Sequence, residues 1–234
     1  MNDSRQIKIY TTQGHPCSYF PEREAKTIFI DPELSVTTPL YSELSRQGFR
    51  RSGNHLYRPE CGKCKDCIAS RVPVTLFEAS RGQRRTIKRN SDLECHILDA
   101  PDEQAYALYE RYISERHRDG DMHPASRAQF DSFIGKGSTE TQYVHFYLAE
   151  KLVAVAVTDV LDDGLSAIYT FYDPALQNRS LGVYGILWQI QRSRHLDLPY
   201  LYLGYWIRDC QKMRYKTDYR PIELLIGRHW THLS

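Results

Sequence analysis

The sequence predicts an α+β fold, a mixed sheet with flanking helices over residues 91–234, preceded by an irregular Cys-bearing N-terminal domain over residues 1–90. Three observations lead there. After residue 92, apolar positions fall into strand and helix periods in the order β-α-α-β-β-β-α-β-α-β. Before it, short apolar runs are interrupted by Pro, Gly and four of the chain's 6 Cys. The formal charge of +2 also divides unevenly: residues 1–90 carry 16 Lys+Arg against 9 Asp+Glu, and residues 91–234 carry 15 against 20. A basic first part suits a polyanionic partner, although a solvated charged face reads the same way.

The elements follow in order. Thr38 can cap a helix over Pro39–Gln47 that Gly48 stops. Phe49–Tyr57 and Arg71–Phe77 read as strands around the Cys cluster. Ser80 opens a helix in SRGQRRTIKRN, where a spacing of three and four brings Arg81, Arg84, Arg85 and Lys88 toward one face, with Arg89 at its end. A face so poor in acid suits phosphate contact better than internal ion pairs. Leu93–Leu98 alternates as a strand, with Cys95 expected in the core. Pro101–His117 and Arg127–Ile134 read as helices, the second ended by a Gly135–Gly137 turn. Tyr143–Ala149, Leu152–Val160 and Ser166–Phe171 are strands joined by tight turns at Glu150–Lys151 and Asp162–Gly164. A long helix over Ser180–His195, a strand over Tyr200–Leu203, a short helix over Asp209–Tyr215 and a strand over Glu223–Ile226 complete the chain.

Composition excludes several classes. Hydrophobic residues at 41% and charged residues at 26% rule out disorder, collagen-like repeats and coiled coils. Mean hydropathy is -0.56, and the longest apolar run, Leu152–Val157, is too short to span a bilayer. The start, MNDSRQIKIY, lacks the apolar run of a signal peptide. A cytoplasmic protein that uses neither membrane nor DNA is the expectation. Cytosolic thiols stay reduced, so the cysteines are not expected to form a disulfide framework. Cys61, Cys64 and Cys67 form C-x2-C-x2-C in ECGKCKDCIAS. That spacing lets successive thiolates turn back onto one ion, as in zinc and iron–sulfur sites. Cys17, in HPCSYF, could supply a fourth ligand; a packed knuckle of reduced thiols is the alternative.

The element order after residue 91 resembles the fold of the GCN5-related acetyltransferases. There the donor phosphates meet N–H groups at the start of the long helix, an anion site by virtue of its unpaired donors. The corresponding stretch here is Arg179-Ser180-Leu181-Gly182-Val183-Tyr184, with Tyr184 where that family's Q/R-x-x-G-x-G/A motif has a second small residue. A ring there would crowd a pyrophosphate and argues against coenzyme A.

Longer strings narrow the resemblance. FYDPALQNRSLGVYGILWQI and YLYLGYWIRDCQKMRYKTDYRPIELL are similar to the C-terminal signature of the arginyl-tRNA–protein transferases, most nearly the bacterial leucyl-tRNA branch. HPCSYFPEREAKTIFID, GFRRSGNHLYRPECGKCKDC, SRVPV and SRGQRRTIKRN fit as well. The resemblance implies transfer of an aminoacyl group, leucyl for this branch, from aminoacyl-tRNA to the α-amine of proteins starting with Asp or Glu, marking them for N-degron degradation. No cofactor is required for that chemistry, and the partners are aminoacyl-tRNA and the acceptor protein. On this reading Tyr205 and Asp209, at the end of the fifth strand, handle proton transfer or hold the amine. Arg81, Arg84, Arg85, Lys88 and Arg89 contact tRNA. Lys212, Arg214, Lys216 and Arg220 are candidates for the acidic acceptor, as are Arg23, Arg50 and Arg51. Tyr169, Phe171, Tyr184 and Trp188 are candidates for the leucyl side chain, though all four could equally be core. An acetyl-coenzyme A-dependent N-acyltransferase and a zinc-bearing RNA-binding protein without catalysis remain the alternatives.

Overall fold

The computed structural model describes residues 7–118, 120, 122–135 and 140–234; Gly137 of the expected Gly135–Gly137 turn lies outside them. The first part of the chain holds β1 (Ile9–Thr11), β2 (His15–Pro16), β3 (Glu24–Ala25), β4 (Thr27–Ile30), helix α1 (Thr38–Arg46), β5 (Arg50–Ser52) and β6 (His55–Pro59). Strands β1, β4, β6 and β5 form an antiparallel sheet, and β2–β3 a separate short ribbon. Thr37, one residue earlier than expected, has the extended backbone of a cap, and its hydroxyl accepts from the Leu40 N–H. The expected single strand Phe49–Tyr57 is a hairpin instead. Gly53, at φ +56°, turns the chain between β5 and β6.

The second part comprises β7 (Ile68–Pro73), α2 (Arg81–Arg89), β8 (Leu93–Leu98), α3 (Glu103–Arg116), α4 (Arg127–Phe133), β9 (Thr141–Leu148), β10 (Lys151–Leu161), β11 (Gly164–Tyr172), α5 (Leu181–His195), β12 (Tyr200–Trp206), β13 (Ile222–Ile226) and β14 (His229–Leu233). Eight strands form one sheet in the order β14-β13-β7-β12-β11-β10-β9-β8. All neighbours are antiparallel except β11 and β12. The molecule is therefore α+β, with a large mixed sheet and flanking helices.

Alternation along β10 assigns the two faces. Val155 and Val157 pack under α3 and α4 with Tyr109, Ile113, Phe130 and Phe171. Ala154 and Ala156 face α5, where small side chains admit Gly185 close to the sheet: a Cβ on Gly185 would stand 3.8 Å from that of Ala156. Helix α1 docks on the end of β10 through Tyr41, whose hydroxyl donates to Asp159 Oδ2 at 2.9 Å. Asp159 is buried and takes both Arg51 Nε (2.6 Å) and Nη2 (2.8 Å), with Thr141 Oγ1 at 2.8 Å. Such a pair holds only while all its partners are present, so it fixes the small sheet against the large one.

Three expectations need correction. Strand β7, from the first ninety residues, lies between β12 and β13, so a cut at residue 90 removes a strand from the middle of the large sheet. The expected helix over Asp209–Tyr215 is a run of turns, with Met213 N–H bonded to the Cys210 carbonyl, followed by a 3-10 turn over Arg214–Asp218. Cys95 is exposed, because β8 is the sheet's edge and offers a core to neither of its middle faces. Strand β14 was not anticipated. It pairs with β13 after a turn at Gly227 (φ +64°), and Trp230 bonds the Arg46 carbonyl at 3.0 Å, clasping α1 from the other end of the chain.

Candidate active site

The one parallel pair in the large sheet opens the site. β11 and β12 are in register only over Gly164–Tyr200, Leu165–Leu201 and Ser166–Tyr202. Beyond these residues the strands separate, and a register irregularity between Tyr202 and Gly204 bends β12 away. A cavity of about 720 Å³ occupies the gap. β11 and β12 supply two walls, the first turns of α5 a third, and the segment 212–219 a fourth; Tyr19, Arg50 and Tyr57 reach in from the N-terminal part.

Where β11 loses its neighbour, Arg50 replaces it. Its Nη2 donates to the Ala167 carbonyl at 2.5 Å and its Nη1 to Ser166 Oγ at 2.9 Å. Gly204 makes room for this: its φ is +78°, and a Cβ there would stand 2.9 Å from Arg50 Nε and 3.0 Å from Cζ. Both requirements select glycine. Lys212, Lys216 and His117 also line the cavity, which has no Asp or Glu among the described residues of its walls. Apolar surface comes from Ile168, Val183, Ile186, Leu203 and Met213. The site thus combines a cationic zone around Arg50 with an apolar wall.

Tyr205 lines the cavity, but its hydroxyl is engaged between the Gly48 carbonyl (2.8 Å) and the Tyr57 carbonyl (3.2 Å). Burial, reinforced by Tyr57, holds its pKa well above the ordinary phenol value. Tyr205 is a strut between the two parts of the chain. Asp209 is exposed and outside the cavity walls. Of the four cations after that strand, Lys212 and Lys216 line the cavity, whereas Arg214 is exposed elsewhere and Arg220 donates to the Ser234 carbonyl. Lys216 is buried, 3% exposed, and burial with the Arg50 charge pushes its pKa down to about 7. Arg51 is committed to Asp159, and exposed Arg23 to Asp66 at 2.7 Å.

The donor turn divides similarly. Ser180 sits at φ +53° as the cap of α5, with no hydrogen bond from its side chain to the helix. The first bond of the helix is Tyr184 N–H to the Ser180 carbonyl, so the preceding N–H groups lack helical partners. Ser180, Gly182 and Val183 line the cavity there. Leu181 is core, and Arg179 forms a bidentate pair with Asp92 at 2.8 and 2.9 Å. The Tyr184 ring packs on Phe146 at 5.4 Å between centroids and is not among the cavity walls. Trp188 does the same at 5.7 Å, and Phe171 lies in the core beneath α3. Of the four aromatics considered for the leucyl side chain, Tyr169 reaches the cavity.

Helix α2 borders this site. Ser80 and Gln83 form a capping box. Gln83, Thr86 and Asn90 are its buried positions, and Asn90 Nδ2 donates to the Arg179 carbonyl at 2.9 Å. Arg81, Arg84, Arg85, Lys88 and Arg89 are exposed; Arg84 bonds the Ala79 carbonyl at 2.5 Å and Arg89 the Asn178 carbonyl. The basic face is therefore anchored to the loop that leads into the first turn of α5.

The four N-terminal cysteines are neighbours. Burial, then Cys61, Cys17 and Cys64, push the Cys67 thiol up to about 12. The other sulfurs make separate contacts, Cys61 Sγ at 3.5 Å from the Lys26 carbonyl and Cys64 Sγ at 3.8 Å from Arg23 Nη1. Among the described residues no group of three or more His, Cys, Asp or Glu side chains is arranged to hold a metal ion.

The cavity between the splayed strands thus joins cations and an apolar wall to a helix start, with a basic helix beside it. Residues 15–85 match the family described as Arginine-tRNA-protein transferase, N terminus, and residues 104–226 its C terminus. The chain belongs to this family. It is 52% identical over 235 residues to the aspartate/glutamate leucyltransferase of Stutzerimonas stutzeri (strain A1501), covering 100% of both chains. It is 53% identical over 231 residues to the aspartate/glutamate leucyltransferase of Hahella chejuensis (strain KCTC 2396), covering 98% of this chain and 99% of that one. A crystal structure of FemX aligns with 88% of this chain and 81% of its own, at 7% identity and a TM-score of 0.48. No helix among the described residues is long and apolar enough to cross a membrane.

Tyr19, Tyr57, Tyr112, His117 and Tyr172 also line the cavity and were not singled out from the sequence. Tyr19 carried a usable signal, since it stands in the same string as Cys17, HPCSYF. The others come from β6, from α3 and its C-terminal cap, and from β11, and no local pattern joins these three elements.

Proposed function

We propose that the chain is a leucyl-tRNA–protein transferase acting in the cytoplasm on proteins that begin with Asp or Glu. It moves the leucyl group from the tRNA ester to the acceptor's α-amine and so creates a destabilising N-terminus for degradation. The observation that carries this reading is the cavity itself, where Arg50 and two lysines stand among the described wall residues. A carboxylate side chain entering it meets cations that can pair with it. The adjoining apolar surface from Ile168, Val183, Ile186, Leu203 and Met213 suits a leucyl side chain.

The N–H groups that open α5 receive the oxyanion formed when the ester is attacked, because helix starts favour negative charge and these donors lack helical partners. Helix α2 offers its exposed basic face to acceptor-stem phosphates beside the same helix start. The reacting centre keeps the general plan of the GCN5-related acyltransferases, with tRNA where those enzymes use coenzyme A. Holding amine and ester together supplies most of what this reaction needs, since an ester is already an activated acyl donor.

The test offers labelled leucyl-tRNA, arginyl-tRNA or acetyl-coenzyme A with a peptide starting with Asp. Label moving from leucyl-tRNA alone supports the proposal. Acetyl transfer selects the N-acyltransferase, and tRNA binding without transfer selects the RNA-binding alternative.

A further inference from the structure

Lys216 is an unusual lysine. It belongs to the 3-10 turn over Arg214–Asp218, is 3% exposed, and is one of the residues that line the cavity. Nζ lies 3.6 Å from Met213 Sδ and 4.9 Å from the centre of the Tyr215 ring. No carboxylate pairs with it among the described residues. Removing an amine from water without an acid to balance it is costly, and folds keep such groups mainly where they are used.

The titratable groups around Lys216 come from several elements. Arg50, on β5, repels its charged form, and burial does so more strongly; the Cys67 and Cys210 thiols act weakly the other way. Lys212, His117 and Tyr215 also line the cavity. Burial and Arg50 together make the neutral form of Lys216 far more accessible near neutral pH than that of an ordinary lysine.

We propose that Lys216 is the proton acceptor for the incoming α-ammonium, and that the acceptor's own acidic side chain, by settling beside Arg50, converts Lys216 into an effective base. The proposal rests on the leucyl-transfer reading above. A carboxylate beside Arg50 offsets the repulsion that adds to burial in favouring neutral Lys216, and brings an attractive charge of its own. The proton then favours Lys216 over the α-amine, whose ordinary pKa is about 7.7–8.0. One N–H bond of the ammonium breaks and an Nζ–H bond forms. The freed electron pair attacks the ester carbonyl carbon, and the C–O bond to the ribose breaks. The leaving ribose oxygen takes the second proton from the attacking nitrogen, and Lys216 releases its proton to solvent as product departs. Ammonium and ester thus become amide, hydroxyl and one proton. Recognition and activation are one event: an N-terminal Asn or Gln has the right shape but leaves Arg50's repulsion in place.

Single-turnover transfer from leucyl-tRNA across pH 6–9 tests this with the full chain. Lys216→Arg keeps a cation but cannot give up its proton. It should hold the KM for an Asp-starting peptide within about threefold, lower kcat at pH 7 by about 100-fold, and recover roughly tenfold per pH unit toward the α-amine's own pKa. On the wild-type protein, the acid limb for a saturating Asn-starting peptide should lie at higher pH than for its Asp counterpart. That second comparison needs no substitution and so survives a misfolded variant. An unchanged Lys216→Arg profile, a parallel loss of kcat and affinity without a pH shift, or coincident limbs for the two peptides overturns the role of Lys216 alone. A wild-type chain that transfers nothing from leucyl-tRNA overturns the underlying reaction, and this proposal with it.

Discussion

Gly204→Ala probes the cavity at its tightest point. The added methyl group meets two obstacles of different kinds. The backbone is at φ +78°, where an L side chain costs about 1–2 kcal/mol. The methyl also stands 2.9–3.1 Å from the Arg50 guanidinium, which must shift and weaken its bonds to Ser166 and Ala167, a further loss of about 1–3 kcal/mol. The sum is about 2–5 kcal/mol, or about 4–20 °C in melting temperature for a chain of this size. A double-mutant cycle with Arg50→Ala separates the two. Without the guanidinium only the backbone strain remains, so Gly204→Ala in that background should cost about 1–2 kcal/mol. Urea unfolding of the four proteins gives the coupling, and the same preparations give kcat/KM for an Asp-starting peptide, which displacement of Arg50 should lower about tenfold or more. A coupling below about 0.5 kcal/mol refutes the claim that glycine is needed there to seat Arg50.

Other outcomes are expected. Replacing Arg81, Arg85 and Lys88 with Glu should weaken tRNA binding and flatten its dependence on salt, by a slope of about 0.7–0.9 for each phosphate no longer neutralised. Thermal stability should barely change, because all three are exposed. Asp159→Ala strands buried Arg51 and Tyr41, and urea denaturation should record a loss of about 3–5 kcal/mol. Lys216→Met should stabilise the protein at the expense of transfer, in a pH-dependent way. The unfolded chain binds this proton up to about pH 10.5 but the folded one only to about 7. The penalty is therefore complete below pH 7 and fades as pH rises toward 10.5. Urea midpoints should show a gain of a few kcal/mol at pH 6 that closes by about pH 10.

Much of the architecture was legible in residue order because it is written locally. The alternation of β9 to β11, the cap at Ser80 and the 3.6-residue period of α5 each need only neighbours in sequence. What escaped was non-local. Strand β7 looks like any half-buried strand, and nothing in SRVPV announces that it slots between β12 and β13, over a hundred residues later. Tyr205 and Asp209 were placed together because they share a loop, but only one turns inward. Lys216 stood in the sequence among four similar cations. Its distinction is burial without an acid, which a run of letters does not carry. Arg50 and Arg51 are adjacent, yet the two-residue period of β5 sends one to the cavity and the other to Asp159.

The place of β7 has a consequence for how the protein is made. Its chain segment leaves the ribosome well before β12 exists, and at roughly 5–20 residues per second it waits about 6–25 s for its neighbour. For that time Val72 and Val74, fully buried in the finished protein, have no sheet to join. Strands β13 and β14, made after β12, then close over β7 and α1 together. Birth order and spatial order run against each other in this molecule, so a nascent chain stalled before residue 200 is an apolar strand with open edges, the kind of species that chaperones hold and proteases find.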